Sequence, residues 1–252
     1  MLDIIVATRD NLQMFGKCYE RIIKYIDIPY EIYLADNSVD NNSIKNRFEN
    51  IVNYTKCKFT SLAKLWNDCI RKGSNPYVAV INDDAFVTRN WTIIVDKLKE
   101  DIRIGLLTPL ESKFINQKIL NRFANDQPIN EENYDQRAIE HYNKYKGLKE
   151  IYGKCEFIKN KDPQLMPLIG SFMLFRRSVF EDIGYFDEQF QFYYEDIDMF
   201  YRTNIKYFVG VIGDLLVYHI GQQTFTRSIL GTPMQDSYLK FKNKWAPILE
   251  KI

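Results

Sequence analysis

Residues 77–86, YVAVINDDAF, constrain the fold more than any other stretch of the chain. Apolar and partly β-branched side chains lead without a break into Asn82-Asp83-Asp84. A run this short, closed by polar residues, is the pattern of a strand buried on both faces of a parallel sheet. Carboxylates just past the carboxyl end of such a strand lie where open α/β sheets keep their ligand crevice. Two adjacent negative charges repel, so they call for solvent, a base or a divalent cation, and oxygen donors suit Mg2+ or Mn2+. A solvated loop or a helix cap is the plainer reading of the same residues.

The chain before this stretch repeats the design. Residues 2–7 form a nearly uninterrupted apolar strand followed by Thr8-Arg9-Asp10-Asn11. Leu12, Phe15, Cys18, Tyr19, Ile22, Ile23 and Ile26 then recur at helical spacing, and Pro29 separates that helix from a strand at 31–35. The second strand ends in Asp36-Asn37-Ser38. Two successive strands with polar residues at their carboxyl ends are what a nucleotide-binding half-sheet requires. No G-x-G-x-x-G follows the first strand and no G-x-x-x-x-G-K-[ST] occurs, so phosphates lack a glycine cradle and a metal gains weight as their holder. A further strand is expected at 54–59. A helix follows over 61–70, capped by Ser61 or Thr60, with Asn67 beside its apolar face and able to point toward the pocket.

Beyond Asp84 the pattern predicts a helix over 89–99 and a short strand over 104–107, stopped by Thr108-Pro109. Residues 111–163 are rich in Asn, Lys, Glu and Gln and weakly periodic, apart from a helical stretch near 133–146. An insertion of this length reads as a lid or substrate wall, with His141 on its surface. Regular pattern returns at 168–175, where Gly170 and Ser171 permit close approach, and a short helix ends near Gly184. Residues 185–198 are dense in aromatics and acids, including Glu195-Asp196 and Asp198. An apolar wall raises a carboxylate's proton affinity toward what a general base needs. The alternative is structural: Asp196 or Asp198 caps the helix and pairs with Arg202. Two short strands, 207–212 and 215–218, are expected around a hairpin-like Gly213-Asp214 turn, with His219 at the end. A final helix, 233–244, would dock through Tyr238, Phe241 and Trp245.

Composition narrows the partners. The formal charge is +1, from 34 basic and 33 acidic side chains, and no basic run is interleaved with stacking aromatics, so a nucleic-acid polymer is not expected. The four cysteines are scattered without a CxxC pair and read as buried thiols of a reducing compartment. The chain opens on a strand in place of a basic-then-apolar leader, and no apolar run approaches the ~20 residues that span a bilayer. The expected location is cytoplasmic, with association at the inner face of a membrane left open. One domain of 252 residues is expected. It divides into a donor half (1–110), a variable insertion (111–166) and a half for acceptor and catalytic base (167–252).

These residues, taken in order, resemble the family 2 glycosyltransferases of the GT-A fold, most closely the bacterial rhamnosyltransferase-type members of surface-polysaccharide synthesis. The resemblance is carried by IIVATR at 4–9, LADNSVD at 34–40, LAKLWN at 62–67 and INDD at 81–84. In the second half it continues with GSFMLFRR at 170–177, GYFDEQF at 184–190, YEDID at 194–198 and His219. It implies an α/β fold: a single Rossmann-like, mostly parallel sheet flanked by helices, with a smaller C-terminal acceptor-side subregion. It also implies inverting transfer of a sugar from a nucleoside-diphosphate sugar, UDP by default with dTDP or GDP possible, to an acceptor hydroxyl of a saccharide, lipid-linked or protein acceptor. On this likeness Thr8, Arg9, Asp36, Asn67 and Asp83 would hold the donor, with Asp36 reading the base edge. Asp84 and His219 would bind Mn2+ or Mg2+, and Asp196 would be the catalytic base. The chain departs from the family where Asn82 opens the aspartate motif, and where Ser61, Lys64 and Cys69 replace glycines around Asn67. Two other readings remain beside it: a binding module descended from such an enzyme, and a nucleotidyltransferase. The latter would need more than the single arginine of Thr8-Arg9-Asp10-Asn11.

Overall fold

The structure, a computed structural model, describes residues 1–39, 42–58, 61–111, 132–159, 168, 170–220 and 227–251, the side chains of 227–233 excepted. Expectations involving Asp40, Phe59, Thr60, Ile169, Gln222, Gln223, Thr224 and the insertion at 112–131 and 160–167 lie outside the described residues.

The first half builds as its periodicity directs. Strand β1 (Leu2–Thr8) is buried throughout, and helix α1 (Leu12–Tyr25) follows, its start capped by Asn11 Oδ1 accepting from Met14 N–H at 3.2 Å. Strand β2 (Tyr30–Asp36) pairs parallel with β1, placing Thr8 opposite Asp36. A short helix α2 (Ser43–Phe48) not anticipated from the pattern leads to β3 (Asn53–Lys56), parallel to β2. Helix α3 (Leu62–Ile70) is capped by Ser61 and buries Leu65, Trp66 and Cys69. Strand β4 (Tyr77–Asn82) then returns beside β1, with Asn82 opposite Ala7. The carboxyl ends of β2, β1 and β4 therefore stand side by side, and Asp83-Asp84 form the turn into β5 (Ala85–Phe86).

Helix α4 (Ile93–Glu100) starts four residues later than expected, and β6 (Ile104–Glu111) runs through Thr108-Pro109 in place of stopping there. A proline is tolerated inside a strand at an irregularity. The ladder to the next strand slips between Pro109 and Leu110, and pairing on the other side is confined to Leu106 and Leu107. Helix α5 (Tyr134–Tyr145) agrees with the expected stretch, and β7 (Lys149–Tyr152) and α6 (Glu156–Lys159) follow. Strand β8 (Phe172–Arg176) inserts antiparallel between β4 and β6, and α7 (Arg177–Ile183) and α8 (Glu195–Lys206) succeed it.

The expected hairpin at Gly213-Asp214 is a bulge within one long strand, β9 (Phe208–His219). Opposite β6, Ile212 pairs with Pro109 and Leu216 with Leu110, so residues 213–215 loop out of register. The Gly213 carbonyl, freed from the ladder, meets His141 Nε2 at 2.9 Å, and Gly147 N–H donates to Asp214 Oδ1 at 2.9 Å. His141 is therefore buried rather than on the surface, because the bulge needs a partner. The last helix, α9 (Arg227–Leu249), extends past both expected ends. Phe241 and Trp245 dock it against Tyr201, whereas Tyr238 is about half exposed and reaches only the Tyr194 ring. The result is one sheet in the order β3-β2-β1-β4-β8-β6-β9-β5, with β7 against β9, mostly parallel and flanked by helices, with an added C-terminal subregion. Two apolar clusters fill its two faces. Among the described residues no helix is long and apolar enough to cross a membrane.

Candidate active site

The crevice at the strand ends gathers four of the expected residues. Thr8 Oγ1 donates to Asp83 Oδ2 at 2.7 Å, which fixes the first carboxylate against β1. Asp84 Oδ1 lies 3.1 Å from His219 Nε2, because β5 pairs with β9 so that Ala85 is opposite His219. The other ring nitrogen, Nδ1, lies 2.7 Å from Glu111 Oε1, and Glu111 Oε2 accepts from Ser171 Oγ at 2.8 Å. Sequence reasoning missed Glu111 because it ended the strand at Leu107, before Thr108-Pro109, whereas β6 runs on to Glu111. The signal that would have found it is the apolar run resuming at Leu110 with a lone acid behind it.

Ionised carboxylates only accept, so a ring bonded to both is protonated on both nitrogens. Burial alone draws His219 toward its neutral form, but Asp84 and Glu111 outweigh it and push its pKa up to about 9. For His219 to serve beside Asp84 as a donor to a divalent cation, the ring would first have to give up its Nε2 proton, and a mixed carboxylate and imidazole set is one that Mn2+ accepts. Among the described residues no group of three or more His, Cys, Asp or Glu is arranged to hold a metal by itself.

Asp36 is fully buried, with every oxygen engaged. Oδ1 accepts from Ser38 N–H at 2.8 Å, and Oδ2 from Tyr54 Oη at 2.6 Å and Lys56 Nζ at 3.1 Å. Burial raises its pKa, but these donors overcome that and hold the carboxyl below its ordinary value. Beside it Asn37 is buried with neither amide atom partnered. Arg9 lies at the rim, 3.6 Å from Asp10. The structure does not bring Asn67 to the carboxylates. It is fully buried, donates to the Phe186 carbonyl (2.8 Å) and Glu188 Oε1 (2.9 Å), and accepts from Phe186 N–H (3.0 Å), so its amide orders the aromatic and acidic segment.

That segment delivers the remaining acids. Tyr193 and Tyr194 both sit at positive φ, 64° and 68°, immediately before α8. Left-handed backbone at two successive tyrosines is strained and needs the surrounding structure to hold it. Asp196 presses on the Gly170 backbone: a Cβ built on Gly170 would fall 2.2 Å from Asp196 Oδ2. Burial pushes Asp196 upward, opposed by N–H groups of Ile197, Asp196 itself and Gly170, while the Glu111 charge adds to the rise. Burial likewise pushes Glu195 up, the Asp196 charge adding to it, and Glu195 Oε2 has no partner. Asp198 behaves differently. It is fully buried, accepts from Arg202 Nε (2.8 Å) and Trp245 Nε1 (2.9 Å), and pairs with Lys244 (2.7 Å), so it ties α9 to α8. The pairing half of the structural alternative thus describes Asp198, whereas Asp196 accepts from the first-turn Ile197 N–H at 2.8 Å, as a cap does.

No protein-family model matches the sequence, and no curated protein matches it. Solved structures do. The chain superposes on GalNAc-T7 with UDP, GalNAc and Mn2+ at a TM-score of 0.67 and 13% identity, covering 99% of this chain and 50% of that one. It superposes on S. aureus TarS 1–349 in complex with UDP at 0.59 and 12% identity, covering 96% and 65%. For the same protein with UDP-GlcNAc the values are 0.56 and 13%, covering 86% and 57%. At these identities the likeness establishes the fold, which is GT-A, and the chain spans less than two thirds of the length of each of these proteins.

Proposed function

We propose that the chain transfers a sugar, with inversion, from a nucleoside-diphosphate sugar to an acceptor hydroxyl in a metal-dependent reaction of the family 2 type. The observation that carries this reading is a single connected group. Asp84, His219, Glu111 and Ser171 are joined by hydrogen bonds at the carboxyl ends of the sheet, and Gly170, next in the chain, bears directly on Asp196. Three of the solved structures that share the fold are described as holding UDP, UDP-GlcNAc, or UDP with GalNAc and Mn2+, which supports UDP as the donor nucleotide and Mn2+ as the ion.

In this reading Asp84 and His219 would hold the cation, the ring releasing its Nε2 proton to solvent as the ion displaces it and keeping Nδ1–H on Glu111. When bound, a divalent cation offsets the charge that builds on the leaving diphosphate. Thr8 steers Asp83 toward the ribose or sugar, and Arg9 stands at the nucleoside rim. Asp36 shapes the floor below the base, its own oxygens already bonded. Asp196, with proton affinity raised by burial, takes the proton of the attacking hydroxyl. The hydroxyl oxygen bonds to the anomeric carbon as the bond to the diphosphate breaks on the opposite face, a single inverting step to which the base contributes ~10²–10⁴ in rate. The acceptor belongs to cell-surface glycan synthesis, and the work is done in the cytoplasm or at the inner face of the membrane.

A second reading, a binding module that has lost turnover, draws on Asn82 in the first position of the aspartate motif and on a protein share of only two metal ligands. UDP-, dTDP- and GDP-sugars, each with Mn2+ and with chelator, separate the two by donor hydrolysis and thermal stabilisation. Metal-dependent hydrolysis of one donor supports the enzyme. Stabilisation with no hydrolysis, and no transfer to any acceptor tried, supports the module, and pyrophosphate release would identify a nucleotidyltransferase.

A further inference from the structure

We propose that Glu111 is the positioning residue of this site: it holds the His219 ring with Nε2 facing Asp84, and ties that ring to the loop that abuts Asp196. The inference deepens the glycosyltransferase reading and rests on it where the metal is concerned.

Glu111 is nearly inaccessible to solvent, and both its oxygens are engaged on opposite sides, Oε1 toward His219 Nδ1 and Oε2 with Ser171 Oγ. A buried carboxylate is costly unless each oxygen finds a donor, and here the donors come from two elements, so that one side chain bridges the end of β9 and the approach to β8. His219 ends β9, and Ser171 precedes β8. Ser171 is itself fixed, because its carbonyl accepts from Asn82 N–H at 2.9 Å, at the start of the aspartate turn.

An imidazole on a strand end is free to rotate, and either nitrogen would then face the carboxylate of Asp84. With Nδ1–H donated to Glu111, only Nε2 is left for Asp84 or for an ion between them. A carboxylate behind a ligating histidine fixes the tautomer and raises the ring's basicity, and loss of such a partner typically costs ~10–100-fold in metal affinity. The Glu111 side chain also lies close enough to Asp196 for its charge to raise that carboxyl. One side chain therefore supports both the ion-binding group and the loop behind the base.

The first readout needs neither metal nor variant: the 15N spectrum of the His219 ring in the metal-free wild type. A slowly exchanging, hydrogen-bonded Nδ1–H is expected, and an Nδ1 without one overturns the proposal. The second is Mn2+ binding in the presence of UDP, compared across the wild type, Glu111→Gln and Glu111→Leu. Gln keeps an acceptor for the ring and Leu does not, so ~10–100-fold weaker binding is expected for Leu, with Gln in between. Metal-free thermal stability is followed in parallel to separate misfolding from weak binding. Equal Mn2+ affinity in all three overturns the proposal. A wild type that shows the Nδ1–H but binds no Mn2+ confirms that Glu111 holds the ring and sinks the metal-dependent reading instead.

Discussion

The two ends of the sheet treat buried polar groups in opposite ways. At the amino ends of β1 and β4, Asp3 is fully buried and accepts from Asn75 N–H (3.0 Å) and Asn75 Nδ2 (2.7 Å), and it pairs with Arg177. Arg177 also donates to the carbonyls of Asn75 (2.5 Å) and Ile70 (3.1 Å), and Arg176 to those of Ile104 (2.8 Å), Asp101 (2.9 Å) and Leu98. Every charge there has a fitted partner, and a Cβ on Gly73 would strike Asp3, so the cluster is closed as well as satisfied. At the carboxyl ends, carboxylates gather around one imidazole, Asn37 and Glu195 keep buried atoms without partners, and two tyrosines carry strained backbone. Polar groups cost free energy when buried unpaired, and folds tolerate that where function requires it. One end of this sheet is closed and satisfied, and the other keeps the unpaired and strained groups on which the proposed chemistry rests.

The contrast breaks first at Asp3. Asp3→Ala leaves the partly buried Arg177 and the buried Asn75 without their partner, and the expected loss is about 3 kcal/mol of stability in denaturant titration, the low end for a broken buried pair. Donor binding by the protein that remains folded should be unchanged. A loss below about 1 kcal/mol would mean that the closed end is not the anchor described.

A smaller effect belongs to His219. Its pKa is raised above the ordinary 6.5 to about 9. Its contribution to the stability of the metal-free protein is therefore complete below about 6.5 and is lost as pH rises through about 9. NMR titration of the ring should show this high midpoint, and a midpoint at or below 6.5 would contradict its placement between two carboxylates.

A third effect is expected at Glu195, and its sign is opposite to that at Asp3. A carboxyl raised by burial binds its proton more tightly folded than unfolded, so stability falls as pH rises above the usual glutamate range. Glu195→Gln removes that penalty. Relative to wild type its Tm should climb as pH rises from about 5 through about 8, the range over which the wild-type carboxyl is forced to ionise in its buried site. A gap that does not change with pH would show that Glu195 is not held in its protonated form.

Much of this division was legible in the residues. Alternating apolar runs closed by Thr8, Asp36 and Asp83-Asp84 placed β1, β2 and β4 and aimed them at one crevice, because periodicity and strand ends are local properties. The i,i+4 spacing of Asp198 and Arg202 likewise announced a pair. What escaped depended on contacts distant in sequence. Glu111 hid behind Pro109, since a proline stops an isolated strand but not one whose ladder slips at that point. His141 looked like a surface residue until a bulge at Gly213 supplied a carbonyl for it. The orientation of Asn67 toward Phe186, and the pressure of Asp196 on Gly170, arise only when α3, α8 and the β8 approach are packed together.

The central claim is that Asp84 and Asp196 divide the work, one holding the donor through a metal and the other taking a proton. The most direct test measures Mn2+-dependent UDP binding by calorimetry, and single-turnover transfer or donor hydrolysis, in Asp84→Ala and Asp196→Asn side by side. Asp84→Ala should lose the metal-dependent part of the nucleotide affinity. Asp196→Asn should bind UDP and Mn2+ as the wild type does, while turnover falls by ~10²–10⁴. Equal loss of nucleotide binding in both, or full turnover in Asp196→Asn, would contradict the account.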